Sequence, residues 1–127
     1  MQERAGQGHV VLVVDDDPAI RELVGDVLRA EGFTVYQAPG VEEATAILSQ
    51  YHHEICVILI DVMMPQVSGA DGIPRLQQIS SAPIVAMSAS ADHLVSASAA
   101  GAAAVLRKPF SLDALQALVL RHCLHRP

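Results

Sequence analysis

Short apolar runs alternate with amphipathic segments along the whole chain. Five of these runs are mostly continuous rather than alternating, and several are rich in valine and isoleucine: His9–Val14, Thr34–Ala38, Ile55–Ile60, Pro83–Met87 and Ala103–Leu106. Continuous apolar runs of this length are typical of strands that are buried on both faces of a parallel sheet. The pattern therefore predicts five parallel strands.

The segments between the runs predict helices, three of them with clear signals. In the first, Asp17 fits as the N-cap, Pro18 as the first helical residue and Gly32 as the stop signal, with one apolar stripe in between. A second helix is predicted from about Val41 to Tyr51, and the last one begins at Ser111. Each has one apolar face that can pack on a sheet.

Two further helices have weaker signals. The helix after Gly69 contains Pro74, so we expect it either to be kinked or to begin only near the proline. The segment from Asp92 to Ala100 is mostly alanine and serine, with Leu94 and Val95 as its large apolar residues. It is able to form a helix, but little anchors it.

Strand–helix alternation repeated five times predicts one α/β domain with helices on both faces of the sheet. The chain has 127 residues, which is about the usual length of one domain. We expect the domain to cover residues 9–124, with a flexible N-terminal segment over residues 1–8 and a tail over residues 125–127. We expect no DNA-binding or catalytic effector domain in this chain.

Composition excludes several classes of protein. The formal net charge of −6 argues against nucleic-acid binding through overall basic charge. No apolar run approaches the roughly 20 residues of a membrane span, and the polar start lacks the apolar stretch of a signal peptide. Cys56 and Cys123, the two cysteines, are far apart in the sequence. We therefore expect Cys56 to be a small core residue, no disulfide framework, and a cytoplasmic location.

Polar residues follow four of the five predicted strands, in an arrangement that suggests a site. They are Asp15, Asp16, Asp61, Ser88 and Lys108. Ligands of open parallel sheets bind beyond the carboxyl ends of the strands, so we expect these side chains to share one rim. Crowded carboxylates favour a hard cation such as Mg²⁺, and together with an ammonium and a hydroxyl they would bind a phosphoryl group.

Each of these residues also has an ordinary structural interpretation. Asp17 is explained as a helix cap, Ser88 alone would be a turn residue, and Lys108 alone would be a solvated charge. Asp61 is different, because it directly follows six apolar residues and so emerges from the core. Polar residues at four strand ends favour a functional site.

Four motifs carry a resemblance to a known family: Val11-Leu12-Val13-Val14-Asp15-Asp16-Asp17-Pro18, Asp61-Val62-Met63-Met64-Pro65 with Gly69 following, Met87-Ser88-Ala89, and Lys108-Pro109-Phe110. In their order and spacing they resemble the receiver domain of two-component response regulators, over about Val10 to Leu124. The resemblance implies a flavodoxin-like (βα)5 fold with a sheet of order 2-1-3-4-5.

The resemblance also implies a role for each site residue. Asp61 would be the phosphoacceptor, taking a phosphoryl group from a histidine kinase, a phosphotransfer protein or a small phosphodonor. Asp16, Asp61 and the Met63 backbone carbonyl would hold Mg²⁺, with Asp15 reaching it through water. Ser88 would bind the phosphoryl oxygens.

Lys108 would pair first with Asp61 and then with the phosphate, and the Lys108–Pro109 peptide bond would be cis. The domain would be a regulatory phosphoacceptor rather than an enzyme on other substrates. Phosphorylation would change the surface formed by the fourth helix, fifth strand and fifth helix, which acts on an unknown downstream target. Self-association through the last two helices is a further hypothesis.

Three positions decide how far the family's switching and hydrolysis behaviour applies to this chain. The aromatic residue that the family often has three positions before the lysine is Val105 here, so we do not expect a ring-flip switch. Met63 and Ser90 occupy the positions that tune hydrolysis of the phosphoaspartate. A methionine cannot orient a water molecule, so we expect a longer-lived phosphoaspartate than in a chemotaxis-type receiver.

Three alternatives have weaker support. A haloacid-dehalogenase-like phosphohydrolase would need an Asp-x-Asp-x-Thr loop after the first strand, and the chain has Asp15-Asp16-Asp17-Pro18-Ala19 there. A flavodoxin-like FMN carrier would need a phosphate-binding loop rich in serine, threonine and glycine at the same place. A receiver-like docking module that is never phosphorylated would not need the complete acidic set with Lys108.

Overall fold

The computed structural model describes residues 6–63 and 69–124. Strands and helices alternate strictly along the chain. The strands are β1 (Val10–Val14), β2 (Thr34–Ala38), β3 (Ile55–Asp61), β4 (Ile84–Ser88) and β5 (Ala104–Arg107). The helices are α1 (Pro18–Ala30), α2 (Val41–Tyr51), α3 (Gly69–Gln77), α4 (Ala91–Ala100) and α5 (Leu112–Leu124). The α/β class predicted from the apolar pattern is confirmed.

All five strands pair in parallel, in the order β2-β1-β3-β4-β5. This is the order expected from the resemblance. β3 and β4 are buried along their whole length, and β1 is buried from Val11 onward. The edge strands β2 and β5 are partly exposed, because each has a neighbouring strand on one side only. Burial on both faces, expected for all five runs, therefore holds for the three inner strands.

Alternate residues of the inner strands face two separate apolar layers, as the pleat of a strand requires. Leu12 and Val14 of β1 pack in the layer beneath α2, α3 and α4. Val11 and Val13 pack in the layer beneath α1 and α5. The core thus lies on both faces of the sheet and leaves the carboxyl ends of the strands free to form a site.

The first helix begins and ends as its sequence predicts. The Asp17 carboxylate accepts hydrogen bonds from the backbone N–H groups of Ala19 and Ile20, at 2.9 and 3.4 Å. Gly32 follows the helix with a φ of +95°, a conformation that L side chains rarely adopt. The Asp17 cap sets the direction in which the chain leaves the acidic loop and enters α1.

Both weakly predicted helices form. α3 begins at Gly69 and contains Pro74 in its interior, so the alternative of a start near the proline is wrong. The turn before Pro74 forms although the proline has no N–H to donate. α4 buries Leu94 and Ala97 but leaves Val95 70% exposed, so few apolar contacts anchor it.

The two cysteines form a disulfide, which the sequence did not predict. Cys56 is near the start of β3 and Cys123 is in the last turn of α5, with a Cα–Cα distance of 5.1 Å. Both lie in the apolar layer beneath α1 and α5, so the expected burial of Cys56 is confirmed. The expectation that the chain has no disulfide was wrong, because α5 packs back onto β3 and brings together residues 67 positions apart.

Residues 6–8 form a turn before β1. The Gly6 N–H donates to the Glu31 carbonyl at 2.7 Å, and a Cβ added at Gly6 would collide with the Phe33 ring. This part of the N-terminal segment is therefore packed against the end of α1. Within the described ranges, no helix is long and apolar enough to cross a membrane.

Candidate functional site

The polar residues predicted to form a site lie at one edge of the sheet. Asp15 directly follows β1, Asp61 and Ser88 are the last residues of β3 and β4, and Lys108 directly follows β5. The strand register sets Asp61 beside Met87, and the Lys108 N–H donates to the Ser88 carbonyl at 2.9 Å. Parallel pairing thus brings together four segments that are distant in the sequence.

Three carboxylates form a tight cluster at this edge. Asp15, Asp16 and Asp61 each offer an oxygen atom, and these oxygens lie within 4.8 Å of one another. Asp15 and Asp61 are buried, whereas Asp16 is exposed. The cluster therefore has two members in the protein interior and one member that opens to solvent.

Backbone amides and one cation orient the two buried carboxylates. The Asp17 N–H donates to Asp15 Oδ1 at 3.0 Å, and the Met63 N–H donates to Asp61 Oδ1 at 2.9 Å. Lys108 Nζ lies 3.3 Å from Asp61 Oδ2 and 3.5 Å from Asp15 Oδ2. Each buried carboxylate thus has one oxygen on a backbone amide and the other on the ammonium.

Burial raises the pKa of the Asp15 carboxyl above its usual value, and the nearby Asp61 charge acts in the same direction. The Asp17 amide and the Lys108 ammonium oppose this shift without cancelling it. Three carboxylates around one ammonium leave an excess of negative charge. Oxygen donors in this number and proximity suit a hard divalent cation, which would relieve the repulsion.

Ser88 is fully buried at the end of β4. Its hydroxyl oxygen accepts a hydrogen bond from the Ser90 N–H at 3.0 Å. A hydroxyl that accepts one hydrogen bond still has its own O–H to donate. Ser88 therefore provides a buried donor on the strand between Asp61 and Lys108.

The structure also describes some of the other features predicted from the sequence. Met63 follows Asp61 closely, and its side chain is half-exposed. The Lys108–Pro109 bond is cis, as expected. Val105 lies on the exposed side of β5. Met64 and Pro65, which contributed to the resemblance, lie outside the described residues.

Arg21 supports the site, although no feature of the sequence singled it out. Its guanidinium donates to the Asp15 backbone carbonyl at 2.7 Å from the first turn of α1. This bond ties the acidic loop to the first helix. Only the folded structure reveals this contact, because the sequence alone suggests that an arginine on an amphipathic helix faces solvent.

Comparison with known proteins identifies the family. The family model of the response regulator receiver domain matches residues 11–120. The transcriptional regulatory protein CpxR of Klebsiella pneumoniae is 35% identical over 80% of this chain and 43% of its own length. YvrH of Bacillus subtilis, also a transcriptional regulatory protein, is 34% identical over 88% of this chain and 48% of its own length. The chain thus spans about half the length of these relatives.

Solved structures agree with this comparison. The chemotaxis protein CheY4 of Vibrio cholerae superimposes with a TM-score of 0.79 at 30% identity, covering 89% of this chain and 97% of that one. The parallel order of the sheet and the strand-end position of the acidic cluster agree with the motifs that carried the resemblance. The chain therefore belongs to the family of response regulator receiver domains, the regulatory modules of two-component systems.

Proposed function

We propose that this receiver accepts a phosphoryl group on Asp61 and thereby switches its surface. The observation that supports this most directly is the pairing of a buried Asp61 carboxylate with Lys108 at 3.3 Å, beside the other carboxylates of the cluster. A structural ion pair would not need two further aspartates whose charges repel the first. The receiver unit itself runs from residue 9 to residue 124.

The chemistry is a nucleophilic substitution at phosphorus. One oxygen of Asp61 attacks the phosphorus of a phosphohistidine, on a histidine kinase or a phosphotransfer protein, or of a small acyl phosphate. The new P–O bond forms as the bond to the leaving imidazole or carboxylate breaks, and the leaving group takes the electron pair. Lys108 balances charge on the transferred oxygens, and the Ser88 hydroxyl donates to one of them.

The acidic cluster has the donor set for Mg²⁺. The side chains of Asp16 and Asp61 and the Met63 backbone carbonyl would hold the ion, with Asp15 reaching it through water. Bound Mg²⁺ would neutralise charge on the phosphoryl oxygens as they approach Asp61. Without a cation, the same carboxylates would repel an incoming phosphoryl group.

The switch in this receiver runs through Ser88 and α4. Val105 has no ring that could turn inward on activation, and it is 42% exposed on β5. α4, by contrast, begins three residues after Ser88 and is held by few buried residues. A shift of Ser88 toward the phosphoryl group would bias the position of α4, and so the surface formed by α4, β5 and α5.

The partners follow from this role. We infer a histidine kinase or phosphotransfer protein upstream, a target of unknown identity downstream, and a cytoplasmic location where such kinases act. Self-association through the α4, β5 and α5 surface is one form that the output would take. We expect no direct binding of nucleic acid by this chain, whose formal net charge is −6.

Phosphorylation is tested by intact mass. The wild type is incubated with acetyl phosphate and Mg²⁺, and gains the mass of one phosphoryl group. Asp61→Asn gains none, whereas Asp26→Asn, on the exposed surface of α1, gains it as the wild type does. The absence of an adduct on the wild type would favour a docking module that is never phosphorylated. An adduct that persists on Asp61→Asn would overturn the choice of Asp61.

A further inference from the structure

A second group of reactive side chains lies at the opposite end of the sheet from Asp61. Cys56 is the second residue of β3 and Asp61 is its last, so the two ends lie about 17 Å apart. Cys56, Cys123 and His9 each offer a ligand atom within 4.8 Å of the others. No part of the proposed phosphoryl chemistry uses these residues.

The two sulfur atoms are already arranged for a covalent bond. The Cα–Cα distance of 5.1 Å is within the normal range for a disulfide, and the structure joins the two sulfurs. Cys56 and Cys123 are both buried, with 6% and 7% exposure, so a reagent reaches their sulfur atoms only through local opening. Cys123 is also in the last turn of its helix, where local opening requires little free energy.

We propose that Cys56 and Cys123 are a reversible redox pair, and that the disulfide fastens α5 to β3 under oxidising conditions. The reversibility rests on the cytoplasmic location proposed above, because thiol reductants there keep most protein thiols reduced. Disulfides in that compartment are usually transient. We expect the packing of α5 on β3 in their shared apolar layer to keep the two thiols close when the bond is open.

Oxidation proceeds by exchange with a low-molecular-weight disulfide such as oxidised glutathione. One protein thiolate attacks the small disulfide, forms a mixed disulfide and releases one small thiol. The second thiolate attacks the protein sulfur of the mixed disulfide and releases the second small thiol. Two protein thiols are thus oxidised, one small disulfide is reduced, and the two protons leave with the released thiols.

The cross-link acts on a part of the molecule that matters for output. α5 contributes Leu115, Val119 and Cys123 to the apolar layer shared with β3. Closing the bond fixes the last turn of α5 against the start of β3 and restricts any movement of that helix. Reduction leaves the same turn held by apolar contacts alone.

The test compares one protein in two redox states. Protein equilibrated in glutathione buffers of increasing reducing strength is alkylated, and its intact mass is measured. We expect a single transition from no alkylated cysteine to two, which reverses when oxidised glutathione is restored. Reduction should lower Tm by roughly ten degrees and speed amide exchange around Cys123 about tenfold. Circular dichroism checks that the reduced protein remains folded.

Two variants serve as controls. Cys56→Ser/Cys123→Ser should have the same Tm in both buffers, close to that of the reduced wild type. Asp61→Asn should show the wild-type redox transition, so that failure of the phosphoryl-transfer proposal and failure of this one are distinguishable.

Two results would overturn the proposal. The first is a wild type whose two thiols stay reduced in oxidised glutathione, or whose disulfide resists reduction until the protein unfolds. The second is a reduced protein that binds Zn²⁺ stoichiometrically through His9, Cys56 and Cys123 and is thereby protected from oxidation. That outcome would replace the redox pair with a metal site.

Discussion

Lys108 Nζ lies 3.3 Å from Asp61 Oδ2, although the two residues are 47 positions apart and lie at the ends of strands that are not neighbours in the sheet. The lysine side chain spans β4 to reach the carboxylate. It is the only lysine among eight basic residues. A compact ammonium on a flexible stem suits a group that must pair first with a carboxylate and then with a phosphoryl group.

Removing this charge should slow phosphorylation of the receiver. For Lys108→Ala we expect the initial rate with acetyl phosphate and Mg²⁺ to fall at least tenfold, because no ammonium then balances the incoming charge. Lys108→Arg should restore little, since the planar guanidinium is bulkier than the ammonium. Phosphorylation is followed by intact mass.

Arg107→Ala, at the exposed neighbouring position, is the control. An equal fall in the phosphorylation rate of this variant would show a general effect of charge and would contradict a specific role for Lys108.

The rate at which Lys108 is acylated should depend on its ion pair with Asp61. An acylating reagent has two targets in the chain, the N-terminal amine and Lys108, whose side chain is 24% exposed and paired with two carboxylates. We expect Lys108 to react more slowly than the N-terminus, and faster in Asp61→Asn, which removes one of its charged partners. Peptide mass spectrometry measures both rates. Equal rates at Lys108 in the two proteins would contradict the ion pair.

The acidic cluster should bind Mg²⁺ through Asp16. We expect Mg²⁺ to raise the Tm of the wild type in the millimolar range, because a ligand that binds the folded state stabilises it. Asp16→Asn should weaken this effect at least tenfold in Kd. Asp17→Asn is a matched control, since it changes charge by the same amount at the next residue and keeps a good N-cap. A similar loss of Mg²⁺ affinity in both variants would mean that the ion is attracted by the local negative charge and is not bound by Asp16 specifically.

Asp15→Asn should stabilise the protein in buffer free of divalent cations. Burial holds the pKa of Asp15 above its unfolded value of 3.8, so the folded state disfavours the charged carboxylate. The destabilisation is therefore present above the folded pKa and disappears as pH falls below 3.8. At pH 7 we expect the variant to have a larger free energy of unfolding than the wild type. This gain in the free energy of unfolding, measured by urea titration, should shrink towards pH 4.

The exposed variant Asp26→Asn is the control and should show no comparable gain. A lower free energy of unfolding in Asp15→Asn at pH 7 would contradict a net cost of burying the charged Asp15 carboxylate.

Met63→Asn should shorten the life of the phosphoaspartate. The half-exposed Met63 side chain has no group that orients a water molecule, whereas an amide does. We expect hydrolysis several-fold faster in the variant after acetyl phosphate is removed, followed by intact mass over time. Met63→Leu should retain the wild-type lifetime. Hydrolysis no faster in Met63→Asn would remove the role assigned to this position.

The sequence determined those features that depend on neighbours along the chain. Each predicted strand agrees with the observed one to within one residue at either end, because buried strands need uninterrupted apolar runs. The Asp17 cap and the stop at Gly32 are likewise local, since they depend on the conformation of a few consecutive residues. The clustering of Asp15, Asp61, Ser88 and Lys108 was predictable as well, because parallel strands bring their carboxyl ends to one edge of the sheet.

Only the tertiary structure decided which distant residues meet and how deeply each is buried. Cys56 and Cys123 showed no spacing that predicts a bond, and they meet because α5 packs across the start of β3. The contact between Arg21 and the Asp15 carbonyl arises in the same way, from the packing of α1 beside the acidic loop. Such contacts depend on the relative positions of whole elements, which are set by side-chain packing over the entire core rather than by any local pattern.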